Sequence, residues 1–90
     1  MDCEWDSKKA ASNFEKHGIS FDAAATIFSD LLALTFNGPG RSQGEYRYLF
    51  IGVSSTGRPL VVAHADRGDT IRILSARPMT ASERRDDEQP

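Results

Sequence analysis

The chain has one cysteine and two histidines in 90 residues. Cys3 has no second thiol to pair with, so an internal disulfide is excluded, and without a His or Cys cluster at ligand spacing no metal site is expected. Cys3 therefore reads as structural. Neither a G-x-S-x-G elbow nor a P-loop is present, which removes the commonest hydrolytic and phosphate-cradling sites. No cofactor is expected. No apolar run approaches the ~18 residues of a spanning helix, and Asp2, Glu4 and Asp6 at the N-terminus oppose a signal peptide. The expected location is the cytoplasm, with no membrane partner. No internal repeat or linker interrupts the chain, so one domain over residues 1–85 is expected, followed by an acidic, disordered tail over 86–90.

What is present is arginine, unevenly opposed by acid. The net charge is -2, but six of the 13 acids lie at the two ends, Asp2, Glu4 and Asp6 at one and Asp86, Asp87 and Glu88 at the other. Residues 7–85 thus hold all 11 bases against seven acids, an excess of +4. From residue 41 to 85 every base is arginine, the side chain suited to bidentate phosphate contacts. The pattern fits a polyanion-binding surface, and equally a solvated sheet face.

Local signals place helices first and strands after. Asp2 to Trp5 alternates like a short edge strand. Asp6 or Ser7 can cap a helix over 7–17 with Ala10, Ala11 and Phe14 as its apolar face, while Lys16 and His17 suit its C-terminal dipole and Gly18 ends it. Ser20 can cap a second helix with Phe21, Ala24, Ala25 and Phe28 at helical spacing. The two helices should form a hairpin over one face of a sheet. Strands follow at 31–36, 46–53, 59–65 and 70–76, with a long loop at 37–43 and a turn at 54–57. In the strand 46–53, Tyr46, Tyr48 and Phe50 share one face and Arg47, Leu49, Ile51 and Val53 the other, as in a central strand partly covered on both sides. Thr80-Ala81-Ser82-Glu83 matches a capping box opening a short, very polar last helix. The fold class is α+β, a helical hairpin on an antiparallel sheet of four or five strands.

The stretch Arg58–Arg77 organises the rest, with two apolar runs flanking Asp66-Arg67-Gly68-Asp69. A turn centred on Arg67 and Gly68 sets Arg58 opposite Arg77, Ala63 opposite Arg72 and His64 opposite Ile71. Like charges face to face cost stability, so an anion between Arg58 and Arg77 is expected. Arg72 lies beside small alanines that leave room for a substrate, Arg67 at the turn tip, and Arg77 where strand, proline and helix cap meet. His64 shares a face with Leu60, Val62, Ile71 and Ile73, which reads as a buried core histidine or as a proton carrier. Cleavage of RNA is a chemistry these groups can support, because the 2′-hydroxyl is the nucleophile and the protein needs only to stabilise charge and move protons.

Five motifs in order, Trp5-Asp6 with Lys9, Lys16 to Phe21 (K-H-G-I-S-F), Ala25 to Asp30 (A-x-x-F-x-D), Ile71 to Arg77 (I-R-I-L-S-A-R) and Thr80 to Arg84 (T-x-x-E-R), resemble toxins of the BrnT type. The resemblance spans residues 4–85. It implies a RelE-like fold and a metal-independent ribonuclease of a type II toxin-antitoxin system that inhibits translation by cutting RNA. It implies as partners an RNA substrate and a BrnA-like ribbon-helix-helix antitoxin, with operator DNA reached only through the antitoxin. Arg77, Arg67, His64 and Glu83 are then the catalytic candidates, and Arg72, Arg58, Arg84, Lys16 and His17 the substrate-binding ones. The acidic end, where an aromatic is expected in such toxins, would repel RNA. A non-catalytic interaction module, or a gyrase-targeting toxin of the ParE type, is the alternative.

Overall fold

Two side chains start the helices. In a computed structural model describing residues 2–42 and 45–80, the Asp6 carboxylate accepts the Lys8 and Lys9 amides, and Ser20 Oγ accepts the Ala23 amide. These N-caps open α1 (Ser7–His17) and α2 (Phe21–Ala25), the second running on as a 3₁₀ turn over Thr26–Ser29. Gly18 ends α1 at φ +70°, a conformation that glycine adopts without a steric penalty. The strands are β1 (Asp2–Glu4), β2 (Leu34–Ser42), β3 (Glu45–Val53), β4 (Pro59–Arg67) and β5 (Thr70–Pro78).

These form one five-stranded sheet in the order β1-β5-β4-β3-β2. The sheet is mixed rather than purely antiparallel, because β1 pairs with β5 in parallel, Glu4 beside Arg72. Of the stretch 37–43, expected as a loop, the described residues 37–42 belong to β2. Its Gly-Pro-Gly segment falls in an irregularity between Asn37 and Arg41, after which pairing with β3 resumes. A bulge absorbs residues that cannot join the ladder without ending the strand. The capping box at Thr80–Glu83 and the acidic tail lie outside the described residues, apart from Thr80.

All described helical segments lie on one face. Ile19, Phe21, Ala24 and Ile27 pack against Leu60, Val62, Ile73 and Ala76, with Trp5, Ala10, Phe28 and Phe50 around them. Each large side chain buried here contributes about 1.5–3 kcal/mol. Partly buried Cys3 joins this packing, and burial pushes its thiol pKa up, as befits a structural cysteine. The inward face of α1 differs from expectation, since Phe14 is exposed and Asn13 is buried. Asn13 Nδ2 donates to the carbonyls of Ile19 at 3.0 Å and Ala76 at 2.9 Å, and its Oδ1 accepts the Ala76 amide at 3.0 Å. One amide thus ties α1, the interhelical turn and β5 together. Asp30 plays a similar part at the far edge, where its carboxylate accepts the Leu32 and Val53 amides, and these bonds lower its pKa.

Candidate nucleic-acid interface

The hairpin that carries the arginines closes through a two-residue turn, Gly68-Asp69, with Arg67 paired to Thr70 and Gly68 at φ +67°. The register is therefore displaced from the symmetric expectation. Arg72 faces Ala65, His64 faces Ile73, and Arg77 faces Val61 rather than Arg58. Arg58 precedes β4, where its backbone closes the Ser54 turn. Arg58 and Arg77 are not paired, and the electrostatic conflict expected between them does not arise.

A bulge then decides which face Arg77 occupies. Ala63 pairs with Ser75 and His64 with Ile73, leaving Leu74 as the extra residue. Arg72 and Arg77 are an odd number of positions apart, so an unbroken strand would point them to opposite faces. The extra residue reverses the alternation, placing Ala76 in the core and Arg77 on the same face as Arg72.

That face is the one the described helices leave uncovered. Across it run the rows Glu4–Arg72–Ala65–Arg47, Ser75–Ala63–Leu49–Phe36 and Arg77–Val61–Ile51–Leu34. Arg47 and Arg72 straddle Ala65, roughly 9–10 Å apart at Cα by strand spacing. Arg47 Nε is buried without a hydrogen-bond partner. Arg72 donates to Glu4 Oε2 at 3.1 Å, and Arg67 reaches the same oxygen at 3.4 Å. Arg77 Nη1 donates to the Pro78 carbonyl at 3.4 Å. Leu34, Phe36 and Val53 are each more than 40% exposed beside these arginines, an unusual surface for a solvated face. β3 is thus covered on one side, by Phe28 against Phe50, and not by any described element on the other.

His64 lies on the opposite side of the sheet. It is buried, ringed by Phe28, Tyr48 and Phe50 at centroid distances of 5.3, 5.6 and 6.2 Å. Its Nδ1 is 3.2 Å from Asp66 Oδ1 without hydrogen-bond geometry, and its Nε2 has no partner. Burial lowers its pKa more than the neighbouring Asp66 carboxylate raises it. Lys16 and His17 end α1, in the layer on this same side. The structure therefore gathers Arg67, Arg72 and Arg77 on the open face, and separates His64, Lys16 and His17 from them. Glu83 and Arg84 lie outside the described residues.

Two members of the open face, Arg47 and Glu4, were not among the sequence candidates. The alternation of β3 places Arg47 opposite the aromatics, but its row neighbours follow only from the register. Glu4 reaches the arginines through a parallel pairing between the two ends of the chain.

Residues 5–83 match the sequence profile described as "Ribonuclease toxin, BrnT, of type II toxin-antitoxin system". The chain belongs to the BrnT toxin family. The fold agrees with that of a solved BrnT, the ribonuclease toxin of Brucella abortus, at a TM-score of 0.67 and 24% identity over 89% of this chain and 97% of that one. That likeness is one of fold. A search of curated proteins found no match. The BrnT family is one of ribonuclease toxins from type II toxin-antitoxin systems, so the arginines of the open face sit in a family whose substrate is a polyanion. Among the described residues no His, Cys, Asp and Glu group has metal-ligand geometry, and no helix is long and apolar enough to cross a membrane.

Proposed function

We propose that this chain is a cytoplasmic, metal-independent endoribonuclease toxin that stops translation by cutting RNA on its open sheet face. The observation that supports the reading most is the convergence of Arg47, Arg72 and Arg77 on the face that no described helix covers, achieved for Arg77 only through the Leu74 bulge. Guanidinium groups held on strands meet phosphate with little reorganisation, and they stabilise the charge that builds on phosphorus when the 2′-hydroxyl attacks. Ala63 and Ala65 keep the floor between them low. Of the two proton carriers considered from sequence, Glu83 is retained here, because His64 stands behind the sheet.

The same face explains inhibition. Exposed Leu34, Phe36 and Val53 among arginines suit a partner that brings both apolar and acidic side chains. A ribbon-helix-helix antitoxin of the BrnA type would cover this surface, silence the toxin, and carry it to operator DNA.

Arg77→Ala is expected to abolish growth arrest on expression while the purified variant keeps its fold. Arg47→Ala is expected to weaken RNA binding by about 1–3 kcal/mol and to reduce the salt slope of binding by about one. RNA cleavage by the parent protein should persist in excess chelator. An Arg77→Ala variant as toxic as its parent would overturn the site, and arrested cells with broken DNA but whole RNA would favour gyrase as the target.

A further inference from the structure

Of the three rows of side chains that cross the open face, the middle one differs from its neighbours. The row Glu4–Arg72–Ala65–Arg47 on one side of it and the row Arg77–Val61–Ile51–Leu34 on the other carry guanidinium groups, whereas Ser75–Ala63–Leu49–Phe36 bears no charge. Adjacent rows lie two residues apart along each strand, roughly 7 Å. Ser75 and Ala63 are small and keep the middle row low, and Phe36 ends it with a side chain that is 48% exposed. The face thus holds an uncharged trough, closed by an aromatic ring, between two lines that carry arginine.

Phe36 is singled out by its surroundings. The other exposed rings among the described residues are Phe14 and Tyr46. Phe14 lines a groove on the helical side whose charged members are Glu15 and Asp22, where a phosphate is repelled. Tyr46 alternates with Arg47 onto the side of Tyr48 and Phe50. Phe36 pairs directly with Leu49, so Arg47, two residues away on β3, is its diagonal neighbour at roughly 7–8 Å, a separation that aromatic and long side chains span.

We propose that the trough takes an unpaired nucleotide of the RNA, its base stacked on Phe36 and a flanking phosphate on Arg47, with the strand continuing across the sheet toward Arg72 and Arg77. This rests on the reading of the open face as the RNA surface, and adds that the RNA is single-stranded at the contact. A base inside a duplex has both faces covered by its neighbours, and an A-form helix turns sugars and phosphates toward a flat surface. These groups would lie against the uncharged row and leave the ring unused. A splayed base has a free face, and stacking on a protein ring changes affinity by about fivefold to a hundredfold.

A 2′-O-methyl oligonucleotide lacks the 2′-hydroxyl nucleophile, so it reports binding without cleavage. The full-length protein should bind it about tenfold or more tighter as a single strand than annealed to its complement. Phe36→Leu keeps an apolar side chain on the edge strand, and should weaken single-strand binding about tenfold while the duplex affinity, the salt slope and the thermal midpoint stay near those of the parent. Phe36→Trp should bind the single strand at least as well as the parent. Arg47→Ala, by contrast, should weaken both forms and lower the salt slope. The inference is overturned if the duplex binds as tightly as the single strand, if Phe36→Leu binds the single strand as the parent does, or if Phe36→Trp is as weak as Phe36→Leu; where the Arg47→Ala loss persists in those cases, the RNA surface itself still stands. Binding of neither form, with Arg47→Ala indistinguishable from the parent, would overturn the RNA surface and the stacked base together.

Discussion

The two faces of this sheet are built from the same strands and differ in what closes them. One is sealed by helices, with Leu60, Val62, Ile73 and Ala76 beneath Ile19, Phe21, Ala24 and Ile27. On the other, arginines stand among half-exposed Leu34, Phe36 and Val53. The helix-packed core cluster lies on the first face and the strand arginines on the second. The Leu74 bulge connects them, because one extra residue puts Ala76 into the core and turns Arg77 outward. Side chains on the sealed face should therefore change folding and leave the charge of the open face alone, and the converse should hold for side chains on the open face.

The largest effect is expected at Asn13. Replacing it by Ala removes three hydrogen bonds and leaves both backbone groups of Ala76 and the Ile19 carbonyl without their partner. Each unsatisfied buried group costs about 1–3 kcal/mol, so a net loss of about 3 kcal/mol is expected in denaturant unfolding, a large share of the stability of a domain this small. A loss under about 1 kcal/mol would mean that α1 is held by its apolar contacts alone, and the division between faces would need redrawing.

Asn13 also shows what was legible in the sequence. Features decided within a few residues were readable: the Asp6 and Ser20 caps, the Gly18 stop, the alternation of β3 and the core side of His64. Features decided between distant segments were not. A buried asparagine looks like a surface residue until Ala76 is placed beside it, sixty-three positions away. The parallel β1–β5 pairing joins the chain's start to its last strand. Gly-Pro-Gly reads as a loop because its signal is local, whereas the β3 ladder that recaptures it is not. The register of the arginine hairpin was missed because turn length and bulge depend on packing on both faces. Of the residues gathered on the open face, Arg67, Arg72 and Arg77 were already singled out in the sequence, while Arg47 and Glu4 required the rows.

A smaller effect is expected from His64, and it probes the sealed face through pH. Its folded pKa lies below the ordinary value of 6.5, because burial penalises the charged ring. The unfolded chain therefore takes up the proton first. Stability should hold above about pH 6.5 and fall as pH drops from there toward the folded value. His64→Phe keeps the aromatic packing and removes the titration, so its thermal midpoint should depend less on pH over this range. An unchanged slope in the variant would place the acid sensitivity elsewhere.

The smallest effect on folding is expected from Glu4, and it tests the open face most directly. Its carboxylate is 3.1 Å from Arg72 and 3.4 Å from Arg67, with 42% of its side chain exposed. Ion pairs this exposed contribute about 0–1 kcal/mol, and the β1 backbone pairing does not require the charge. Glu4→Gln should thus lower stability by less than about 1 kcal/mol. For RNA the expected sign is opposite, since the substitution removes a competing anion from Arg72 and adds one net positive charge to the face. RNA binding at low salt should tighten by a few-fold, and the gain should fade as salt screens the contact. A variant that melts early and binds RNA no better would show that the arginines of this face are held for structure, so the outcome for Glu4 decides whether the side of the sheet that no described helix covers is a surface for polyanions.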